Sequence, residues 1–516
     1  MFKQLKSDLP ASVVVFFVAL PLCLGIALAS GAPLFSGLIA GIVGGIVVGA
    51  ISGSNVGVSG PAAGLAAIVL AAIASLGSYQ DFLLAVVLAG AMQILFGVLR
   101  AGIIGYYFPS SVIKGMLTGI GIIIIIKQIP HFFGYDGNIG DIYSLEGIGN
   151  AFNSISVGAT LIALIGMGIL VLWDSVLTKK SKIFRLIQGP LVAVVVGIVF
   201  FLLTRDSAMF AIDEKFLVNV PVPDSFDSFI GQFTFPSFKL IGSAEIWVTA
   251  FTIALVASLE TLLCVEATDK LDPHKRTTPT NRELFAQGTG NLISGFIGGL
   301  PITQVIVRSS ANIQSGGQTK LSAILHGFLL LISVIIIPTI LNYIPLSVLA
   351  AVLFLVGYKL AKPQLFVQMY KAGWKQFVPF MVTVVGIIFG DLLVGIAMGL
   401  LVGICVILIK SYQNSYFLHK EDVENGQKTV KMRLAEEVTF INKGAIIKEL
   451  NRLEENSNLI MDVSKTHYLD SDIIEILDDF RIKAEEKNIN IKIISQRGTV
   501  DNPPSYQQFF MRPKTA

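Results

Sequence analysis

The sequence predicts a polytopic α-helical membrane protein that ends in a small soluble α/β domain. Of its 516 residues 53% are hydrophobic and 14% charged, with a mean hydropathy of +0.73; soluble domains carry about 25% charged residues. Apolar runs of about 18 or more residues recur from Pro10 to Lys410, each long enough to cross about 30 Å of hydrocarbon as a helix. After Lys410 the composition turns to Lys, Glu, Asp and Asn, and no run is long enough to span.

Taken in order, the candidate spans lie near 11–30, 34–52, 59–76, 80–99, 111–129, 153–173, 188–204, 245–267, 283–299, 303–314, 321–341, 345–360, 377–390 and 393–410, about fourteen by hydropathy. The first run, from Ala11 to Ser30, is like a signal peptide, but other apolar runs follow at once, so it reads as an uncleaved span. Loop charge orients the set, because short cytoplasmic loops hold the Lys and Arg. With the N-terminus inside, inward connections carry Lys3 and Lys6, then Arg100 and Lys114, then Lys179, Lys180, Lys182 and Arg185. Later ones carry Lys270, Lys275, Arg276 and Arg282, then Lys359, Lys362, Lys371 and Lys375. The outward connection GYDGNIGDIYSLEG has neither Lys nor Arg. An even number of spans puts the tail in the cytoplasm, beneath a bacterial-type plasma membrane. Cys23, Cys264 and Cys405 sit in apolar runs without CxxC spacing, which suggests neither a disulfide framework nor a metal site. The net charge of +3 is spread over loops of both signs and forms no nucleic-acid stripe.

Two segments depart from the pattern, and they hold matching places in the two halves. The third, GSNVGVSGPAAGLAAIVLAAI, begins with Gly, Ser and Pro before turning apolar; the tenth, GGLPITQVIVRSSANIQSGGQTK, is short and carries Arg308 near its middle. Both read as half-helices preceded by irregular backbone, which survives at membrane depth only inside protein or beside a wet cavity. Such a matched pair points to a binding site between inverted repeats. Bare N–H groups at a helix start amount to roughly half a positive charge, so two facing starts favour an anion, and Arg308 adds a full charge. The alternative is that Pro61 and Pro301 merely kink ordinary helices. Glu260, in ALVASLETLLCVEATDK, is the other intramembrane ionisable group, and Cys264 shares its helix face four residues on. Its carboxyl could pair with Arg308, titrate as a coupling site, help hold a cation, or lock two helices. His326 and Asp391 read as packing or interface residues, and Lys127 as a side chain snorkelling to the outer interface.

These stretches resemble the SulP family of anion transporters. The likeness rests on VALPLCLGIALASG in the first span, GVSGPAAG in the third, SLETLLCVEATDK in the eighth, and NRELFAQGTGNLISGFIGGLP leading to VRSSANIQSGGQTKLSAILHG. It implies seven helices repeated in inverted orientation over residues 1–412, with spans 1–4 and 8–11 as a core and spans 5–7 and 12–14 as a gate. It also implies a small inorganic anion, sulfate or bicarbonate, held between Ala62, Ala63 and Gly64 on one side and Gln304, Val305, Ile306, Val307 and Arg308 on the other. Elevator-like movement and a homodimer are further implications, and no cofactor is. Related sodium-dependent bicarbonate members have Asp and Thr where Glu260 and Cys264 stand. A hard cation prefers oxygen ligands, so loss of the Thr hydroxyl favours a proton over sodium as coupling ion. Leu22 and Ile26 replace residues that sulfate-type members show in the first span, which leaves sulfate and bicarbonate both open.

From Lys431 the tail alternates strand, helix, strand, helix, strand, a small α/β pattern over 428–500. It resembles a STAS domain, in which Asp470 and Ser471 match a phosphorylated position, so Ser471 is a candidate regulatory residue; an N-cap is the plainer reading of either residue. Competing functions are an uncoupled anion channel, a dicarboxylate or nucleobase carrier, and a membrane enzyme. The last is weakest, because no nucleophile and base pair, metal cluster or phosphate loop stands out in any span.

Overall fold

The computed structural model describes residues 4–103, 109–135, 155–180, 184, 188–207, 209–222, 230–390, 392–413, 416–424, 427–495 and 498–506. The basic-free loop after the fifth span, together with Lys182, Arg185 and Asp391, falls outside or almost wholly outside them. The chain divides into two compact units, Met1–Leu400 and Leu401–Ala516.

In the first unit and on into the second, fourteen helices stand at the fourteen expected spans: α1 (Leu5–Ala29), α2 (Leu34–Ile51), α3 (Ala63–Leu76), α4 (Tyr79–Val98), α5 (Ser110–Phe133), α6 (Val157–Leu177), α7 (Gly189–Thr204), α8 (Ala244–Leu271), α9 (Thr280–Phe296), α10 (Ile306–Gln314), α11 (Leu321–Ile336), α12 (Leu346–Leu360), α13 (Trp374–Phe389) and α14 (Leu392–Gln413). They pack in two sets. In one, α4 lies against α8 and α9, and α1 against α2, α10 and α11; in the other, α5 lies against α12 and α13, and α6 against α7 and α12. Without a hydrophobic drive between helices in lipid, close packing needs small residues. Gly90 and Gly288 supply it between α4 and α9: a Cβ on either would come within 2.7 Å of the other's carbonyl oxygen.

The two anomalous spans do not begin as helices. Ser59–Pro61 forms β1 and Ile302–Gln304 forms β2, paired antiparallel with Ser59 opposite Gln304, Gly60 opposite Thr303 and Pro61 opposite Ile302. Each irregular segment thus supplies the hydrogen bonds the other lacks, which is the condition for extended backbone at membrane depth. Because the strands run antiparallel, α3 and α10 leave the pair in opposite directions, both with their N-terminal ends at it.

The second unit contains a five-stranded sheet in the order β3 (Tyr416–Glu424), β4 (Gln427–Leu434), β6 (Asn458–Asp462), β8 (Asn490–Ser495), β9 (Gly498–Asp501), parallel in its centre and antiparallel at both edges. Helices α15 (Lys443–Leu450) and α16 (Ser471–Glu486) bury Ile446, Leu450, Leu477 and Phe480 with Leu459, Met461, Ile491 and Ile493 of the sheet. Two details differ from what the residue pattern predicts. The strand expected from Lys431 stops early: β4 ends at Leu434, a short β5 (Glu437–Val438) pairs with β7 (Tyr468–Leu469), and Thr439 and Asn442 form a capping box that starts a helical turn. Edge strand β3 is the second, since HKEDVE has the charge of a loop, and charge is also what edge strands carry.

Candidate anion site between the half-helices

The starts of α3 and α10 are bare. Ala62 and Val305, the residues before them, are extended and give no side-chain cap; the Leu65 N–H donates back to the Ala62 carbonyl at 3.2 Å, while those of Ala63, Gly64, Ile306 and Val307 have no intrahelical partner. A cavity of about 180 Å³ opens at these ends. Ala63 and Gly64 of α3, Val305, Ile306, Val307 and Arg308 at the start of α10, and Glu260 and Cys264 of α8 all line it. Leu22 and Ile26 of α1 close one wall, and Leu117 of α5 with Val356 and Leu360 of α12 close another, so the cavity lies where the two helix sets meet. Ala62 and Gln304 are buried but do not line it. The Gln304 amide turns to α8, donating from Nε2 to Thr268 Oγ1 at 3.1 Å while its backbone N–H donates to Thr261 Oγ1.

Glu260 and Cys264 stand at the two amide ends. The Gly64 N–H is within hydrogen-bonding reach of the Glu260 carboxyl, and the Ile306 N–H of the Cys264 sulfur. A Cβ on Gly64 would sit 2.6 Å from both Glu260 oxygens, so the close approach requires glycine. Among the described residues no ion pair joins Glu260 to Arg308. The buried guanidinium instead donates from Nη2 to Cys23 Sγ at 3.3 Å and lies so near Gly60 that a methyl there would overlap Nη1. Its Nε and Nη1 have no hydrogen-bond partner among the described residues. His326 is buried with Nδ1 2.6 Å from the Ala323 carbonyl oxygen, a local bond within α11.

The shell that positions the strand pair lies mostly on α9, and sequence reasoning gave it no role. Asn291 brackets the outer edge of β2, donating from Nδ2 to the Ile302 carbonyl at 3.0 Å and accepting the Ile302 N–H on Oδ1. The same Nδ2 donates to Gln93 Oε1 at 2.6 Å, and Gln93 donates to Ser258 on α8. Gln287 donates to Ser59 Oγ at 2.7 Å and to Glu283 Oε1, whose other oxygen accepts from Ser52. The signal was legible: Glu283, Gln287 and Asn291 recur at i, i+4 and i+8, one polar face in a membrane helix. In the tail, Asp470 is the N-cap of α16, accepting from the Asp472 N–H at 3.1 Å, and Ser471 is exposed in the first turn.

Comparison with known proteins concerns the chain's family and fold. Residues 5–383 match the sulfate permease family and residues 421–503 the STAS domain. YvdB of Bacillus subtilis, provisionally named a sulfate transporter, is 25% identical over 505 residues, 95% of this chain and 92% of its own. The transmembrane domain of a cyanobacterium bicarbonate transporter, BicA, superposes with a TM-score of 0.65 at 26% identity, covering 77% of this chain and 98% of that one. The overall structure of SLC26A9 covers 96% of this chain and 85% of its own with a TM-score of 0.76; at 16% identity that likeness is one of fold. The family match spans nearly the whole transmembrane unit, so the chain belongs to the sulfate permease family of anion transporters and carries a C-terminal STAS domain.

Proposed function

We propose that the protein is a secondary transporter of sulfate or bicarbonate that couples anion movement to protons. The anion sits between α3 and α10, held by the N–H groups of Ala63, Gly64, Ile306 and Val307, with the Arg308 charge behind β1. One observation carries the coupling: the Glu260 carboxyl lies at the Gly64 amide end, inside the same cavity. An ionised Glu260 occupies the place an anion needs and repels it, whereas a protonated one does neither. Proton binding and anion binding then favour each other, reciprocally, as linkage requires. The Cys264 thiol beside it is a poor ligand for a hard cation, which argues for protons rather than sodium.

The set containing α1–α4 and α8–α11 acts as the moving core and the set containing α5–α7 and α12–α14 as the gate, in an elevator-like exchange. Hydrogen bonds across the core support its moving as one body: Asp8 of α1 accepts the Gln318 N–H at 2.7 Å, and Arg276 donates to the Gln318 carbonyl at 2.9 Å. Homodimer assembly and a cytoplasmic tail rest on the family resemblance and the loop charges. Ser471 is the candidate regulatory residue, since a phosphate there would face the amide end of α16.

Uptake of labelled sulfate and of labelled bicarbonate into proteoliposomes, with imposed proton or sodium gradients, tests this reading. Wild-type uptake should rise several-fold with an inward proton gradient, and Glu260→Gln should retain uptake but lose that dependence. Flux that follows voltage alone would make the protein a channel instead.

A further inference from the structure

A second cavity, of about 600 Å³, lies beside α3 and is not part of the site described above. It is built on three of the same helices, α3, α5 and α8, each contributing residues displaced along its axis from those lining the first. Ala67, Ala71 and Ser75 follow Gly64; Ile123 and Lys127 follow Leu117; Thr252, Thr249 and Val248 precede Glu260. At 1.5 Å of rise per residue the two are separated by roughly 10–20 Å. Ile387 of α13 and Gly390 just after that helix complete it, so it too opens between the two helix sets.

Among the described residues its charge is one-sided. Lys127 is the only ionisable one of those that line it, is exposed, and makes no ion pair with any of them. A third cavity, at the C-terminal end of α8, is lined by charges of both signs, Glu266, Asp269, Lys270, Lys275 and Arg276. There the charges are satisfied: Lys270 pairs with Glu266, Arg276 with Asp272, and Asp269 accepts from Thr278. A cation without an ion-pair partner among the described residues, in a cleft lined mostly by Ala, Ile, Leu and Val with three hydroxyl side chains, focuses its field, because low-dielectric walls screen it less than open water does.

We infer that this crevice is a second, low-affinity site for small inorganic anions, with Lys127 as its cation, where anions gather before reaching or after leaving the half-helix site. The loop charges put it on the outer side. This rests on the proposed anion transport and extends it: the outer mouth selects by charge before the amide ends bind. Snorkelling of Lys127 to lipid headgroups is the competing role, and it predicts no difference between the two sides of the membrane.

The test has two arms. In proteoliposomes of known orientation, Lys127→Gln should raise the apparent KM for sulfate or bicarbonate supplied at the Lys127 side about three- to tenfold at low salt, with maximal rate and the KM from the other side unchanged. Lys127→Arg should restore it, and high salt should erase the difference. Equal KM on both sides overturns the site. The second arm needs no transport: Thr252→Cys is labelled with an anionic and with a cationic thiol reagent, read by peptide mass. The anionic-to-cationic rate ratio should fall several-fold when Lys127→Gln is added, and an unchanged ratio overturns the site. If wild type moves neither anion, the transport reading fails while this ratio still decides the crevice.

Discussion

The half-helices α3 and α10 occupy equivalent places in the two repeats, yet they do opposite work. The helical part of α3, AAIVLAAIASL, has one hydroxyl, and Ser75 merely donates back to its own Ala72 carbonyl at 3.3 Å. By contrast α10, IVRSSANIQ, is polar along its buried face, and three of those side chains reach across to the segment that leads into α3. Ser309 Oγ accepts the Val58 N–H at 3.0 Å, Asn312 donates to the Val56 carbonyl at 3.0 Å, and Arg308 packs its guanidinium on Gly60. One half-helix therefore contributes only its backbone end and a smooth surface, while the other also anchors its counterpart. The backbone repeats; the chemistry does not. An inverted repeat can keep two matched amide ends for the anion while only one arm carries the polar side chains that hold them together.

The largest effect is expected at the contact between the arms. Gly60→Ala should reduce anion uptake more than tenfold and lower the melting temperature, because a methyl there overlaps the fully buried guanidinium of Arg308, and either that side chain or the strand pair must shift. Gly64→Ala makes the opposite comparison. Its methyl meets only the mobile end of Glu260, so the fold should survive while the proton dependence of uptake flattens. If the two variants behave alike, the division of labour between the arms is wrong. A smaller effect separates the helices directly. Ser309→Ala leaves the Val58 N–H buried without its acceptor and should cost about 1–3 kcal/mol in thermal unfolding, whereas Ser75→Ala, an exposed position on α3, should stay within about 0.5 kcal/mol.

The smallest effect lies in the tail and gives a baseline away from both arms. Burial opposes the charge on Asp462, but hydrogen bonds from Ser464 and from Arg433 Nε at 2.9 Å outweigh it and hold the carboxyl below its ordinary value. Its folded pKa is thus below the unfolded one. The stabilisation is complete above about pH 4 and is lost as pH falls through the lower folded value. Arg433→Ala should move that acid loss of amide protection in β8 to higher pH, by a fraction of a unit, in hydrogen exchange on the full chain.

Much of this architecture could be read from residue order. Bilayer thickness converts long apolar runs into helices, and Lys and Arg in alternate loops orient them, so the fourteen spans needed no tertiary knowledge. The two breaks showed as well, because Gly and Pro ahead of a shortened apolar run interrupt the helix that lipid otherwise demands. Side-chain direction did not. The family resemblance puts Gln304 among the anion-binding positions, yet its amide turns to Thr268, and Arg308 could have met Glu260 but lies against Cys23 and Gly60. Neighbours 36 residues away for Gln304, and 285 and about 250 residues away for Arg308, decide such choices, and no local pattern encodes them.

What the sequence determined alone was the membrane class, the number and order of spans, the place of both breaks and the α/β character of the tail, since each follows from local hydropathy, charge and turn chemistry. What only the tertiary structure decided was that the breaks pair as antiparallel strands, that Asn291 closes the open edge of β2, and that Glu260 rests on the Gly64 amide. Buried backbone groups must find partners, and the partners available are set by which distant helices packing brings alongside.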